Sequence, residues 1–162
     1  MPEVVISNTS PLQYLHQLGH LELLPHFYQQ IQVPPAVIFE LSAGRELGVP
    51  LPDPVTIDWL HETAPTGNIT LSLATTLGAG ERAVFSLALE ESDAMVLMDD
   101  GHARRVGQRL GIRMTGTVGV LVRATREGII SQLSPVLDQL AELGFRLSGK
   151  ARSIALGHVG EV

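Results

Sequence analysis

Four short strand-like segments, each cut off by residues that favour a turn or a helix start, constrain this chain more than any other feature. They cover residues 3–7, 31–33, 95–98 and 113–115. The first closes on Asn8-Thr9-Ser10-Pro11, where Ser10 and Pro11 read as N-cap and first helical position of a helix to Leu18, stopped by Gly19. A second helix over 20–29 follows. Pro34-Pro35 opens a third over 36–43, and Gly78-Ala79-Gly80 opens a fourth over 80–91. Further helices are predicted over 101–110, 118–127 and 135–143, the last capped by Ser134. Residues 45–68, broken by Pro50, Pro52, Pro54 and Pro65, read as an irregular excursion holding a strand over 56–60. Strands that alternate with helices imply a parallel sheet covered on both faces.

A length of 162 residues fits one domain, and 44% hydrophobic residues supply a core without staples. With one Trp, two Tyr and four Phe, the apolar content is aliphatic, which argues against an aromatic base-stacking platform. The absence of cysteine removes disulfides, thiolate zinc sites and cysteine nucleophiles, and suits a reducing compartment. No basic n-region precedes an apolar stretch at the N-terminus, and no apolar run nears the roughly 18 residues of a membrane span. The expected location is the cytoplasm. The formal charge of −6 weighs against nucleic-acid binding, unless acids gather around divalent cations or a basic partner supplies the field.

In a parallel sheet, functional groups collect beyond the carboxyl ends of the strands. Asn8 ends the first strand, and Asp99 and Asp100 end the fourth. Glu40 lies in the helix after the second strand, and Glu81 in the first turn opened by Gly78-Ala79-Gly80. Acids brought together from separate segments are what hard divalent cations need for phosphodiester hydrolysis. Each residue also has an ordinary explanation. Glu81 suits a helix dipole, Asp99-Asp100 a turn and N-cap, and Asn8 a turn. Glu40 is less easily dismissed, because Val37-Ile38-Phe39-Glu40-Leu41 does not read as a solvated face.

Four segments in order carry a resemblance: Val5 to Leu12, Val33 to Leu41, Leu77 to Ala83 and Leu97 to Arg104. Together with 115–121 and 143–148, they resemble the PIN superfamily, and more narrowly a PIN-like branch of short prokaryotic proteins related to VapC toxins. The likeness spans residues 4–148. It implies a three-layer α/β/α fold with a central parallel sheet over 1–148, leaving 149–162 as a tail that docks as a helix. It also implies single-strand endoribonuclease activity dependent on Mg²⁺ or Mn²⁺, often as the toxin of a toxin–antitoxin pair.

By that resemblance Asn8, Glu40, Glu81 and Asp100 are metal ligands, and Glu40, Glu81, Asp99 and Asp100 are the catalytic set. Asn8 stands where the wider superfamily has aspartate, so one ligand charge is missing, which Asp99 is placed to restore. The opposing reading is a non-catalytic binding module whose metal site is degraded at Asn8.

Arg104, Arg105 and Arg109, with Ser10, are the candidate RNA contacts, although the arginines also suit a solvated helix paired with local acids. The glycines before Glu81 lack the Lys-Ser/Thr of a phosphate loop, and the six histidines show no zinc spacing. A homodimer through the apolar residues of 16–27, or an antitoxin placing a Lys or Arg in the acidic cleft, completes the expected partners. The alternative for Leu18, Leu21, Leu24 and Phe27 is that they cover the core.

Overall fold

In this computed structural model the described residues are 2, 4–67 and 76–161. Glu3, assigned above to the first strand, and Asn68, at the end of the irregular stretch, lie outside them. Strands β1 (Val4–Ser7), β2 (Ile31–Val33), β3 (Leu60–Glu62), β4 (Ala94–Leu97) and β5 (Arg113–Thr115) form one sheet. Its order is β3-β2-β1-β4-β5 and every pairing is parallel. The chain builds outward from β1 to β3, then returns to the other side of β1 with β4. The switch point therefore lies between β1 and β4, where open α/β sheets place their ligands.

The helices are α1 (Thr9–Leu18), α2 (Leu23–Tyr28), α3 (Pro35–Glu46), α4 (Ala79–Leu89), α5 (Gly101–Arg109), α6 (Thr117–Arg126), α7 (Leu133–Glu142) and α8 (Gly149–His158). They flank the sheet in a three-layer α/β/α arrangement: α1, α6, α7 and α8 pack on one another, α4 and α5 lie against β4 and β5, and α3 packs on α4. Ile6, Val96, Leu97, Leu12, Val37, Phe85 and Leu121 are buried where these layers meet. Each such side chain contributes about 1.5–3 kcal/mol by leaving water. The central strands β1 and β4 are apolar apart from Ser7, which is buried with its hydroxyl donating to Asn8 O at 2.8 Å, because both faces are covered.

Several local expectations are corrected. The strand expected over 56–60 is displaced: Pro54–Thr56 forms a 3₁₀ turn, closed by the Asp53 carboxylate accepting from Val55 N at 3.2 Å, and β3 starts only at Leu60. Asn8, rather than Ser10, occupies the N-cap position of α1. Ser134 does not cap α7, which starts at Leu133; the carboxylate of Glu161 accepts instead from Leu133 N at 2.7 Å and Ser134 N at 3.0 Å. The tail is helical, and α8 packs on α6 and α7 through Ala155 and Leu156.

The apolar residues offered above as a dimer surface face inward. Leu24 and Phe27 belong to the core and Leu18 and Leu21 pack against it. No helix among the described residues is long and apolar enough to cross a membrane.

Candidate functional site

The register of the central strands sets the site. Ser7 pairs with Leu97, so Asn8 and Met98 leave the sheet side by side, and Asn8 N donates to Leu97 O at 3.0 Å. Asn8 then begins α1 without capping it: its side chain makes no bond to the helix amides, although Asn is among the best residues for that task. Instead Nδ2 donates to the Met98 sulfur at 3.3 Å, while Oδ1 is buried with no hydrogen-bond partner. A buried acceptor left unpaired costs about 1–3 kcal/mol.

Glu40, on α3, faces the same space. A methyl group added at Gly80, in the first turn of α4, would come within 2.6 Å of Glu40 Oε1 and 3.2 Å of Asn8 Oδ1. Gly80 therefore leaves open a hollow that any other residue would fill. The second Glu40 oxygen accepts from the Thr9 hydroxyl. Glu40 and Phe39 are both exposed, so this turn of α3 does present a solvated face, contrary to the reading of its apolar sequence.

The remaining acids are engaged elsewhere. Glu81 Oε1 accepts from Gly78 N at 3.0 Å, closing the start of α4. Asp100 Oδ2 accepts from Ala103 N at 2.9 Å, as the N-cap of α5. Asp99 is tied to two other segments: Ser10 Oγ donates to Oδ2 at 2.8 Å, Thr117 Oγ1 to Oδ2 at 2.6 Å and Thr117 N to Oδ1 at 2.7 Å. Among the described residues no group of three or more His, Asp or Glu side chains could hold a metal ion. The convergence of four acids expected from sequence is thus not preassembled, because helix starts and the α6 junction occupy three of them. What the fold does bring together is Asn8, Glu40 and Gly80.

The candidate RNA contacts divide. The Ser10 hydroxyl is spent on Asp99. Arg104 donates to Met98 O at 2.9 Å and lines a pocket with Asp99. Arg105 and Arg109 are exposed on α5 and enter none of the ion pairs of the described residues, unlike Arg113, which pairs with Asp93 at 2.8 Å. Sequence reasoning missed Thr9 and Thr117, whose hydroxyls position Glu40 and Asp99, and it treated Gly80 only as a helix opener. The signal for Thr117 was present, as a hydroxyl residue at the start of a helix after Gly116.

The sequence model of a family labelled DUF3368 and described as a PIN domain matches residues 4–161. The chain belongs to this PIN-domain family. The match reaches past residue 148 and includes α8. No curated protein and no solved structure matches the chain. The PIN domain is a nuclease-type fold, and PIN domains generally use divalent metal ions. The donors beside Gly80 fit such an ion in kind: an amide oxygen without a partner and a carboxylate are both hard oxygen ligands.

Proposed function

We propose that this PIN domain is a metal-dependent endoribonuclease acting on single-stranded RNA, with Mg²⁺ or Mn²⁺ held at Asn8 Oδ1 and Glu40. The observation that carries the reading is the unpaired, buried Asn8 Oδ1 facing Glu40 across the hollow at Gly80, beside the switch point of the sheet. A bound divalent cation supplies positive charge that lowers the pKa of water and stabilises the leaving oxygen of a phosphodiester.

The chain's own residues do the rest. Thr9 fixes the Glu40 carboxylate by donating to one oxygen, leaving the other toward the hollow. Glu81 keeps one oxygen on the α4 amide and has a second for a ligand or a water. Asp100 holds α5 in place, so that Arg104, Arg105 and Arg109 are presented to the RNA phosphates. Asp99, one of the catalytic set by resemblance, acts on this reading through Ser10 and Thr117 and holds the loop ends around the site. This division leaves the charge missing at Asn8 uncompensated, and weak metal affinity follows.

The test is cleavage of single-stranded RNA by purified protein with Mn²⁺, against EDTA and against Glu40→Gln. Metal-dependent cleavage abolished by Glu40→Gln supports the reading; RNA binding without cleavage returns the chain to the binding-module alternative. The narrower role, the toxin of a pair, rests on the resemblance to VapC-related proteins. An antitoxin that presents a Lys or Arg to Glu40 would compete with the cation at its ligand. Its expected signature is suppression of both Mn²⁺ uptake and cleavage on addition of the neighbouring gene's product.

A further inference from the structure

A pocket of about 510 Å³ opens between the start of α6, the segment leading to α8, and α8 itself. Its size falls in the range of small-molecule sites, about 300–1,000 Å³. Val118, Val122, Phe145 and Ile154 give it an apolar wall. Asp99, Arg104, Arg146 and His158 supply its polar groups. Asp99 is already satisfied by three donors; Arg104 donates to Met98 O at 2.9 Å, and no ion pair among the described residues uses Arg104 or Arg146. In a chain of net charge −6, this is an apolar cavity bearing two guanidinium groups. Such a combination suits a ligand with one flat apolar part and one anionic part.

The first turn of α1 links the pocket to the hollow at Gly80. Thr9 and Ser10 are consecutive residues of α1; the hydroxyl of one holds Glu40 and that of the other holds Asp99 on the pocket wall.

We infer that this pocket binds a single nucleotide of the RNA, its base against the wall formed by Val118, Val122 and Ile154 and its phosphate on Arg104 and Arg146. The nucleotide flanks the one cleaved and gives the enzyme its sequence preference. The inference rests on the ribonuclease reading for the identity of the ligand. It does not rest on metal binding, because none of these groups is a proposed metal ligand.

The experiment is a titration of the full-length, isotope-labelled protein in EDTA with each of the four ribonucleoside monophosphates, inorganic phosphate and an uncharged nucleoside, followed by amide chemical shifts. Expected are shifts at Val118, Val122 and Ile154, with at least one nucleotide binding about tenfold more tightly than inorganic phosphate or the nucleoside. Arg146→Ala should weaken that nucleotide about fivefold or more, since a charge-assisted bond is lost. Ile154→Trp, placed on a half-exposed wall position, should fill the pocket and abolish the response while the rest of the spectrum stays folded.

Nucleotides that bind no better than phosphate, or that leave α6 and α8 unperturbed, overturn the inference. So does a folded Ile154→Trp that binds as the parent does, or an amphipathic helical peptide that shifts these residues when nucleotides do not. The two readings separate cleanly. If RNA is cleaved but nucleotides ignore the pocket, the nuclease stands and the pocket assignment falls. If a nucleotide binds there while no RNA is cut with Mn²⁺, the nucleotide site stands, and its place beside a cleaved bond falls with the nuclease.

Discussion

Asp99 and Thr117 are joined twice: the backbone N–H of Thr117 donates to Oδ1 at 2.7 Å and its hydroxyl to Oδ2 at 2.6 Å. This pair anchors the start of α6 to the end of β4, and the Ser10 hydroxyl brings α1 into the same junction. Asp99→Asn replaces an acceptor with a donor and cannot satisfy all three partners. It should destabilise the fold by about 1–3 kcal/mol, read by chemical denaturation. In a double-mutant cycle with Thr117→Val the two losses should be far from additive, because one interaction is being removed twice.

Asn8→Asp puts a carboxylate where a buried oxygen now has no partner. Without metal, the buried charge should lower stability by about 1–3 kcal/mol. Mn²⁺ should restore the loss, and calorimetry should show tighter binding than the parent. Equal stability with and without Mn²⁺ in this variant would remove Asn8 from the metal site.

Gly80→Ala tests the hollow itself. The added methyl meets the end of a Glu40 side chain that can rotate away, so the thermal midpoint should change little. Mn²⁺ binding and cleavage should both be lost, since Glu40 Oε1 is displaced from the space it shares with Asn8 Oδ1. Retained Mn²⁺ affinity would show that the ion binds elsewhere.

Glu90 accepts from Gly67 N at 3.0 Å, from Thr66 N at 2.7 Å and from Thr66 Oγ1 at 2.9 Å. The Gly67 N–H foremost, together with the Thr66 donors, holds its carboxyl below the ordinary carboxylate range, against desolvation, which is the second-largest effect. A depressed folded value means the anchor is fully present above the unfolded carboxylate pKa and is lost as pH falls through the folded one. The Gly67 amide shift should therefore titrate with a midpoint below 4.5, and Glu90→Ala should remove that titration.

Glu161 caps α7 from 28 residues away. Glu161→Ala should cost about 1–2 kcal/mol in chemical denaturation, the usual loss when a helix cap is removed. It should leave any Mn²⁺ binding unchanged, because the proposed ligands Asn8 and Glu40 lie away from α7.

The fold was legible because its signals are local. Pro34-Pro35 and Gly78-Ala79-Gly80 open helices, Gly19 closes one in the left-handed conformation, and short apolar strands between them admit only a covered parallel sheet. The misplaced elements share a cause. The strand over 56–60 yielded to a turn that the Asp53 carboxylate closes, and Ser134 lost its cap role to Glu161, a residue distant in sequence. Propensity measures what a segment prefers alone, and both outcomes were set by groups outside the pattern being read.

For the site, the order of strands and helix starts alone shows which residues reach the carboxyl end of the sheet: Asn8, Asp99 and Asp100 follow strands, and Glu40 and Glu81 lie on the helices opened nearby. Which groups each of them meets there is set by the packing of distant segments. Pairing Leu97 with both Ser7 and Thr115 sets Asp99 between Ser10 and Thr117, contacts spanning 89 and 18 residues. The packing of α3 against α4 sets Glu40 beside Gly80 and leaves Asn8 Oδ1 without a partner. A carboxylate's chemistry depends on which donors reach it first, and in a parallel sheet those donors arrive from segments that no local pattern connects.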